Sequence, residues 1–432
     1  QGSTLSFATG NLDLQATEAS TLITASGGGS FVSTGGTAMA VYSGKNNAGS
    51  SIAGFVAIVT ADPTVEASIL DSTVKVGAVG DLSVLATTAL LLVTASGGFV
   101  LNRDGNGTLS TSIGAAVVVV NSTPRGTASV ERSSVTVPKG RVRVQSVYGD
   151  PSPGAWKSLD PILSQLNTPE AGSGAVWSFA VGVVASDSSL TVAASVNVTT
   201  LNPHQTATIS DGSVVTATAG SIEVTALNSA KVRTVAGSIA MTAFTQDRST
   251  FSAGAAVLFT ALGGATSASI ESSTVSAGTD AAVETSGRVS VTAADTLDVL
   301  AIAASGVMSG DNALSAAVVF SDLTDRSVAA RITGTASRQS TVSATRGLQV
   351  TGRDETDLLS IAGQVAIPAS KSAAIAAGAA GVINSLGCTI TAVIEQATVT
   401  CTGADVVVRT IVGGKVQAWA VGVSGALAGS SG

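Results

Sequence analysis

The sequence contains one histidine (His204), two cysteines and few charged residues, and each scarcity excludes a class of protein. A single histidine excludes most His-based catalytic or metal constellations. Two cysteines exclude a Cys-rich zinc module and a disulfide-dense scaffold. Charged residues make up only 11% of the chain, and the formal charge is −7. We therefore expect no nucleic-acid partner, because phosphate binding needs clustered Lys and Arg.

Long apolar runs are also missing, since no stretch of 18 or more apolar residues occurs. The chain is therefore not expected to span a membrane with a helix. Disorder is excluded as well, because a disordered chain needs low hydrophobicity and high charge, whereas the mean hydropathy here is +0.46.

The chain is built from two motifs that recur together. The first reads Ala-x-Ile-x-x-Ser-x-Val-x-Ala, and the second, Gly-x-Φ-x-Val-x-Ala with Φ aliphatic, follows a few residues later. Copies of the first motif begin at Ala67, Ala128, Ala207, Ala268, Ala330 and Ala392. Copies of the second begin at Gly10, Gly80, Gly140, Gly220, Gly287, Gly347 and, more loosely, Gly403. The mean unit is about 65 residues, and such a period is the signature of a repeat architecture.

Both motifs alternate with period two, which predicts β-strands. The x-x step between Ile69 and Ser72 breaks the alternation and predicts a corner between two strands. A glycine-containing corner then leads into the second motif, since Gly takes positive φ without penalty. The rest of each unit is nearly continuous in apolar residues, as in Ile113–Val120 and Leu314–Phe320. Flanking glycines and frequent Val favour buried strands there.

We therefore predict an all-β fold, an elongated parallel β-helix (β-solenoid) of about six to seven degenerate repeats of roughly 65 residues. No linker separates the units, so residues 1–432 are expected to form one continuous array. A narrow interior suits Val, Ile, Ala and Gly, with Ser and Thr on the outward positions. If each unit makes about three coils at the ~4.8 Å strand spacing, the array runs on the order of 90–100 Å.

Neither end of the sequence carries the polar capping repeat that an isolated solenoid needs. Ser3–Gly10 matches only the closing half of the first motif, and Trp419–Gly432 stops inside the Gly/Ala-rich portion. We expect either an excerpt of a longer array or a subunit that stacks end to end.

The linked motifs that begin at Ala67 and Gly80, set in long tracts rich in Ala, Val, Gly and Thr, resemble the repeat regions of very large bacterial filamentous adhesins. The leukotoxin-like filamentous adhesin group is among them. The resemblance covers essentially the whole chain and is one of composition and period. It implies a secreted β-solenoid stalk at the cell surface, with a host or matrix surface as its partner.

These observations predict a non-enzymatic extracellular structural protein, a stalk or filament segment of an adhesin-like surface protein. Its partners would be such a surface, or copies of itself associating end to end or laterally. One alternative is an end-to-end self-assembling filament or sheath subunit. Another is an ice-binding solenoid, although Thr-x-Thr pairs such as Thr206/Thr208 do not recur at constant spacing. A polysaccharide lyase needs clustered acids and bases, and the charges here are dispersed.

Residues 150–173 form the most individual segment, with four of the nine prolines. We expect a Pro-rich insertion with a short amphipathic helix that either packs on the solenoid flank or docks a partner. Its apolar residues at near-helical spacing are Trp156, Leu159, Ile162, Leu163 and Leu166.

Three further features have two interpretations each. The start of a calcium loop is matched by three residues, Asn102, Asp104 and Asn106. Position 12 of that loop would be Ile113 rather than Glu, which favours a hydrophilic turn. No cofactor besides calcium is suggested. Cys388 and Cys401 form either a disulfide across one coil or two buried thiols. The sequons at Asn106, Asn121 and Asn197 matter only in a eukaryotic source.

Overall fold

A computed structural model describes residues 3–6, 9–33, 51–103, 111–149, 174–242, 250–279, 286–369 and 374–425. The fold is all-β, as predicted. The strands of the described part, numbered β1 to β27 in chain order, form four sheets, A to D, and every pairing within them is parallel. The chain is therefore a parallel β-solenoid. None of its described residues belongs to a helix long and apolar enough to cross a bilayer.

Each turn of the solenoid passes through the sheets in the order B, C, D, A. Sheet B contains the long strands β2 (Leu12–Ser33), β6 (Leu82–Arg103), β10 (Val142–Tyr148) with β11 (Ala175–Ser186), β15 (Ile222–Thr242), β19 (Arg288–Ser309), β23 (Gly347–Pro368) and β27 (Val406–Ser424). Sheet C contains β3 (Ser51–Ala61), β7 (Thr111–Ser122), β12 (Leu190–Leu201), β16 (Phe251–Leu262), β20 (Asn312–Leu323) and β24 (Ile375–Leu386). Sheet D contains β4 (Thr64–Leu70), β8 (Arg125–Glu131), β13 (His204–Ser210), β17 (Gly264–Glu271), β21 (Arg326–Thr333) and β25 (Thr389–Glu395). Sheet A contains β1 (Thr4–Ser6), β5 (Thr73–Lys75), β9 (Ser134–Lys139), β14 (Val214–Ala219), β18 (Thr274–Ala277), β22 (Ser340–Ala344) and β26 (Ala397–Cys401).

Each repeat makes one coil, not the three expected from the sequence. In sheet A, Thr4 pairs with Thr73, and in the next rungs Ser134 pairs with Val214, so register partners are one full repeat apart. Seven stacked strands at ~4.8 Å span only about 29 Å along the axis. Across the axis, a strand of 22 residues such as β6 reaches about 70 Å. The solenoid is therefore broad and short.

One half of each coil is triangular and the other half is a two-layer sandwich. In the triangular half, sheet A, sheet D and the first part of sheet B enclose the main aliphatic core, which includes Ile209, Val215 and Val224. In the sandwich half, the second part of sheet B packs on sheet C, with Leu92 and Leu201 in a second cluster between them. The motif residues of the sequence thus point inward, as the alternation predicted.

The corner predicted after Ile69 lies between sheets D and A, and a residue with positive φ forms it. In five of the units this residue is not glycine and has φ between 47° and 55°: Asp71, Arg132, Asp211, Ser272 and Gln396. The serine that follows closes the corner. Ser133 Oγ donates to Glu131 O at 2.7 Å and accepts from Ser72 N of the preceding rung at 3.0 Å. This double role explains the Ser that most copies of the first motif carry there, although Ala397 takes the place in the last copy.

The insertion of residues 150–173 interrupts one long strand without disturbing its register. Tyr148, the last residue of β10, pairs with Thr88, and Ala175, the first of β11, pairs with Leu91. A Cβ placed on Gly174 would lie 2.8 Å from the Cα of Gly149, so the chain leaves and returns at one point. Gly149 has a φ of 82° and Gly174 a φ of 70°, and residues with an L side chain rarely adopt such positive values.

Candidate interaction surface and buried charge cluster

The outward face of sheet C is apolar at every described position except some at the ends of its strands. Each strand contributes four outward residues, and together these 24 residues are called the apolar face. They are Ile52, Gly54, Val56, Ile58, Ile113, Ala115, Val117, Val119, Val192, Ala194, Val196, Val198, Ala253, Ala255, Val257, Phe259, Leu314, Ala316, Val318, Phe320, Ala377, Ala379, Gly381 and Ile383. Ile58 is 65% exposed and Leu314 44%. Large apolar patches of this kind mark interaction sites.

The register arranges the apolar face into columns that run across the strands. Val117, Val196 and Val257 follow one another in one column, because β7, β12 and β16 pair in register. The neighbouring column consists of Ala and Gly, with Ala115 and Ala194 among them. Phe259 and Phe320 stack in the outermost column, with ring centroids 5.1 Å apart and planes at 8°. The face therefore has ridges of Val and Phe beside a groove of Ala.

The interior of the sandwich is more polar than its outer face, which reverses the expectation that Ser and Thr coat the outside. Between sheets B and C, Ser178 Oγ lies 2.8 Å from Thr199 Oγ1 and Thr234 Oγ1 lies 3.1 Å from Thr260 Oγ1. Hydroxyls of this kind satisfy one another across the two layers. The apolar runs of sheet C are strands, as predicted, but only one of their two sides is buried.

The second part of sheet B also carries apolar residues on its outer side. Phe99 is 46% exposed and Ile239 43%, and both lie in the column that ends at Val423. Unlike the apolar face, this side includes a charged pair, because Arg233 and Asp298 form an ion pair across two rungs. The sandwich thus presents two apolar sides, and that of sheet C is the more uniform.

The one charge cluster inside the described part of the solenoid centres on Arg326, the first residue of β21. Its Nη2 contacts Asp295 Oδ2 at 3.0 Å and also pairs with Asp354, while its Nη1 donates to Thr356 Oγ1 at 2.9 Å. The side chain of Arg326 is 2% exposed and that of Asp295 5%. Asn228 Nδ2 donates to Asp295 Oδ1 at 2.7 Å. Two buried carboxylates therefore share one buried guanidinium.

Burial raises the pKa of Asp295 to about 6, and the nearby Arg326 only partly opposes this. The pKa of the Cys388 thiol is raised to about 11, first by burial and then by the charge of Asp354. A cavity of about 280 Å³ lies beside the cluster, lined by Arg326, Asp354 and Cys388 among others. Sequence reasoning missed this cluster, because its members are far apart in the chain and do not recur between repeats.

The residues singled out in the sequence lie in different places. Asn102 is a buried residue near the end of β6, where its amide nitrogen donates to Ser112 Oγ and Ser188 Oγ at 3.1 Å each. It is therefore part of the sandwich interior rather than of a hydrophilic turn. Asp104 and Asn106 lie outside the described residues, as do the insertion residues Trp156, Leu159, Ile162, Leu163 and Leu166.

Cys388 and Cys401 are both free and partly buried against the main core. Cys401 pairs with Ala344 in register, which is the inward slot expected from the first motif. Its Sγ lies 3.0 Å from Ala404 O. His204 is the first residue of β13.

Of the sequons, Asn121 is exposed at the edge of the apolar face, whereas Asn197 is buried. The Asn197 amide donates to Ser178 O at 2.9 Å and to Val235 O at 3.0 Å. This side chain has no room for a glycan in the folded chain. The Thr-x-Thr pair of Thr206 and Thr208 does not recur in the adjacent rungs, because Thr208 lies between Ser129 and Ser269 in register.

Comparison with protein families, with curated proteins and with solved structures finds no match to this chain.

Proposed function

We propose that this chain is a non-enzymatic structural segment of an extracellular filament or stalk, in an adhesin-like surface protein. The observation that carries the proposal is the uninterrupted parallel ladder, in which each repeat hydrogen-bonds to the repeats before and after it. In such a stack, stability is a sum of repeat and interface terms, so the same plan serves an array of any length.

The dimensions favour a second candidate, a filament or sheath subunit that uses its sides. Each repeat of about 65 residues adds only ~4.8 Å along the axis. A stalk built in this way would need many residues to reach a given length. The same repeat adds an outward strand to the apolar face and another to the outer side of sheet B. The chain thus provides breadth rather than length, which supports lateral assembly.

Pulling a single molecule by its two ends tests the structural role. Because register partners lie one repeat apart, we expect rungs to detach one at a time. Each step should release about 230 Å of chain, which is the extended length of about 65 residues. Regular steps of this size would support a load-bearing stack. Unfolding in one event, or in a few domain-sized steps, would contradict it.

The location needs a separate measurement, which is labelling of intact source cells with an antibody raised against the purified chain. Labelling before permeabilisation is the expected result. Labelling that appears only after permeabilisation would contradict the extracellular proposal.

A further inference from the structure

We propose that the apolar face of sheet C is a lateral interface that a second copy of this chain covers face to face. This inference deepens the proposed structural function, and it rests on the solenoid being a segment of an assembly.

The starting point is that parallel sheets are normally covered on both faces, and that their strands read as continuous apolar runs for this reason. The strands of sheet C have this character, as in Ile113–Val120. Sheet B covers their inner face, where Ser112, Thr199 and Thr260 are buried. Their outer face is the more apolar of the two, yet no described residue of the chain covers it. These strands therefore have the composition of a sheet that is covered on both faces, and the described residues cover only the inner one.

The area suits a second copy. Six strands at ~4.8 Å and seven residues at ~3.3 Å give a flat surface of about 24 Å by 23 Å. Two copies would then bury roughly 1,100 Å² in total, which is slightly above the ~1,000 Å² expected of a specific interface.

The relief of the face is self-complementary. A ridge that contains Val117, Val196 and Val257 runs beside the groove that contains Ala115 and Ala194. A copy turned by a two-fold rotation can lay its ridge in that groove, as side chains of stacked sheets interdigitate about 10 Å apart. A two-fold contact of identical patches is also the commonest way in which chains associate.

The charges favour a second copy over a lipid surface. Surfaces that bind anionic lipid headgroups carry Lys and Arg beside their apolar residues. The described outward residues that border the apolar face include neither. They are Thr60, Thr111, Asn121, Leu190, Thr200, Phe251, Ala261, Asn312, Asp322, Ile375 and Ser385.

Sedimentation velocity on the whole chain provides the test, with Val196→Lys at the centre of the face. Wild type should sediment as a dimer of the 42.0 kDa chain at micromolar concentration. Val196→Lys places two lysines in each dimer interface and should weaken association at least about 100-fold. Val196→Thr, which keeps the shape and the strand propensity, should weaken it about 10-fold. Thr225→Lys is the matched control, because Thr225 is an outward residue of the central strand β15 in sheet B; it should leave the dimer unchanged.

Several outcomes would overturn the proposal. These are a monomeric wild type at about 100 µM, equal weakening by Val196→Lys and Thr225→Lys, or assemblies that survive Val196→Lys, as end-to-end stacks would. Uncharged phosphatidylcholine vesicles that bind wild type but not Val196→Lys, while the chain stays monomeric, would assign the face to lipid instead. If the wild type is monomeric but still unfolds in steps of one repeat, the proposed lateral interface is wrong and the proposed structural function is not affected.

Discussion

Replacing Ile270 by Asp tests the interior of the stack at a fully buried position. Ile270 is fully buried, and it lies between Ile209 and Ile332 of the adjacent rungs, which are also fully buried. Removal of a buried aliphatic side chain costs about 2–5 kcal/mol. An unpaired carboxyl in the same place adds several kcal/mol more. The total exceeds about 5 kcal/mol, which is comparable with the whole stability of many domains.

The matched control for this change is Ser267→Asp, three residues earlier on the same strand and pointing outward. It should change the free energy of unfolding by no more than about 0.5 kcal/mol. Urea titration followed by circular dichroism measures both variants. An Ile270→Asp chain as stable as Ser267→Asp would refute the inward column, and with it the packing described above.

Three further predictions concern the charge cluster, a close backbone contact and the thiols. Because the folded pKa of Asp295 lies above its unfolded value, its protonation stabilises the fold below about pH 4, and this contribution of about 3 kcal/mol is lost as the pH rises through 6. Urea titrations at pH 4 and 7 should therefore show this loss in wild type and not in Asp295→Asn; equal pH dependence would contradict it. Gly220→Ala should destabilise by about 1–3 kcal/mol in a thermal melt, since its Cβ would lie 1.6 Å from Gly140 O, and an unchanged melt would contradict that approach. Without reductant, Ellman's reagent should find two thiols in the unfolded chain, and in the folded chain at pH 8 the raised pKa of Cys388 should make it react slowly; fewer than two thiols would indicate a disulfide.

The sequence was sufficient to predict the fold class, because the motif residues report directly on strand alternation. The column that contains Ile270 and the corner after Ile69 both follow from period two and its interruption. The number of coils per repeat did not follow. The repeat length alone does not say how many coils the chain makes within one repeat. The corners between sheets C and D share a proline in only three units, at Pro63, Pro124 and Pro203, and this was too weak a signal to count the corners.

The surfaces and the charge cluster could be predicted only in part. The apolar runs of sheet C predicted buried strands, but did not show that the outer side of these strands has no cover among the described residues. Hydroxyl residues alternate on strands whichever way they point, so the polar interior at Ser178 and Thr199 has no distinct signature. Arg326 occupies the position that Gly264 has in the preceding rung. Its contact with Asp295 arises only because the strands of neighbouring rungs are aligned, which the sequence does not show.

The most direct test of the solenoid is a distance across its rungs. Ser83 and Gln349 lie in one outward column of sheet B, separated by four strand spacings. Spin labels on Ser83→Cys and Gln349→Cys, in a chain with Cys388→Ala and Cys401→Ala, should report a narrow distribution near 19 Å between backbones, broadened by the label linkers. A separation near 60 Å, as three coils per repeat would give, or a broad distribution would contradict one coil per repeat.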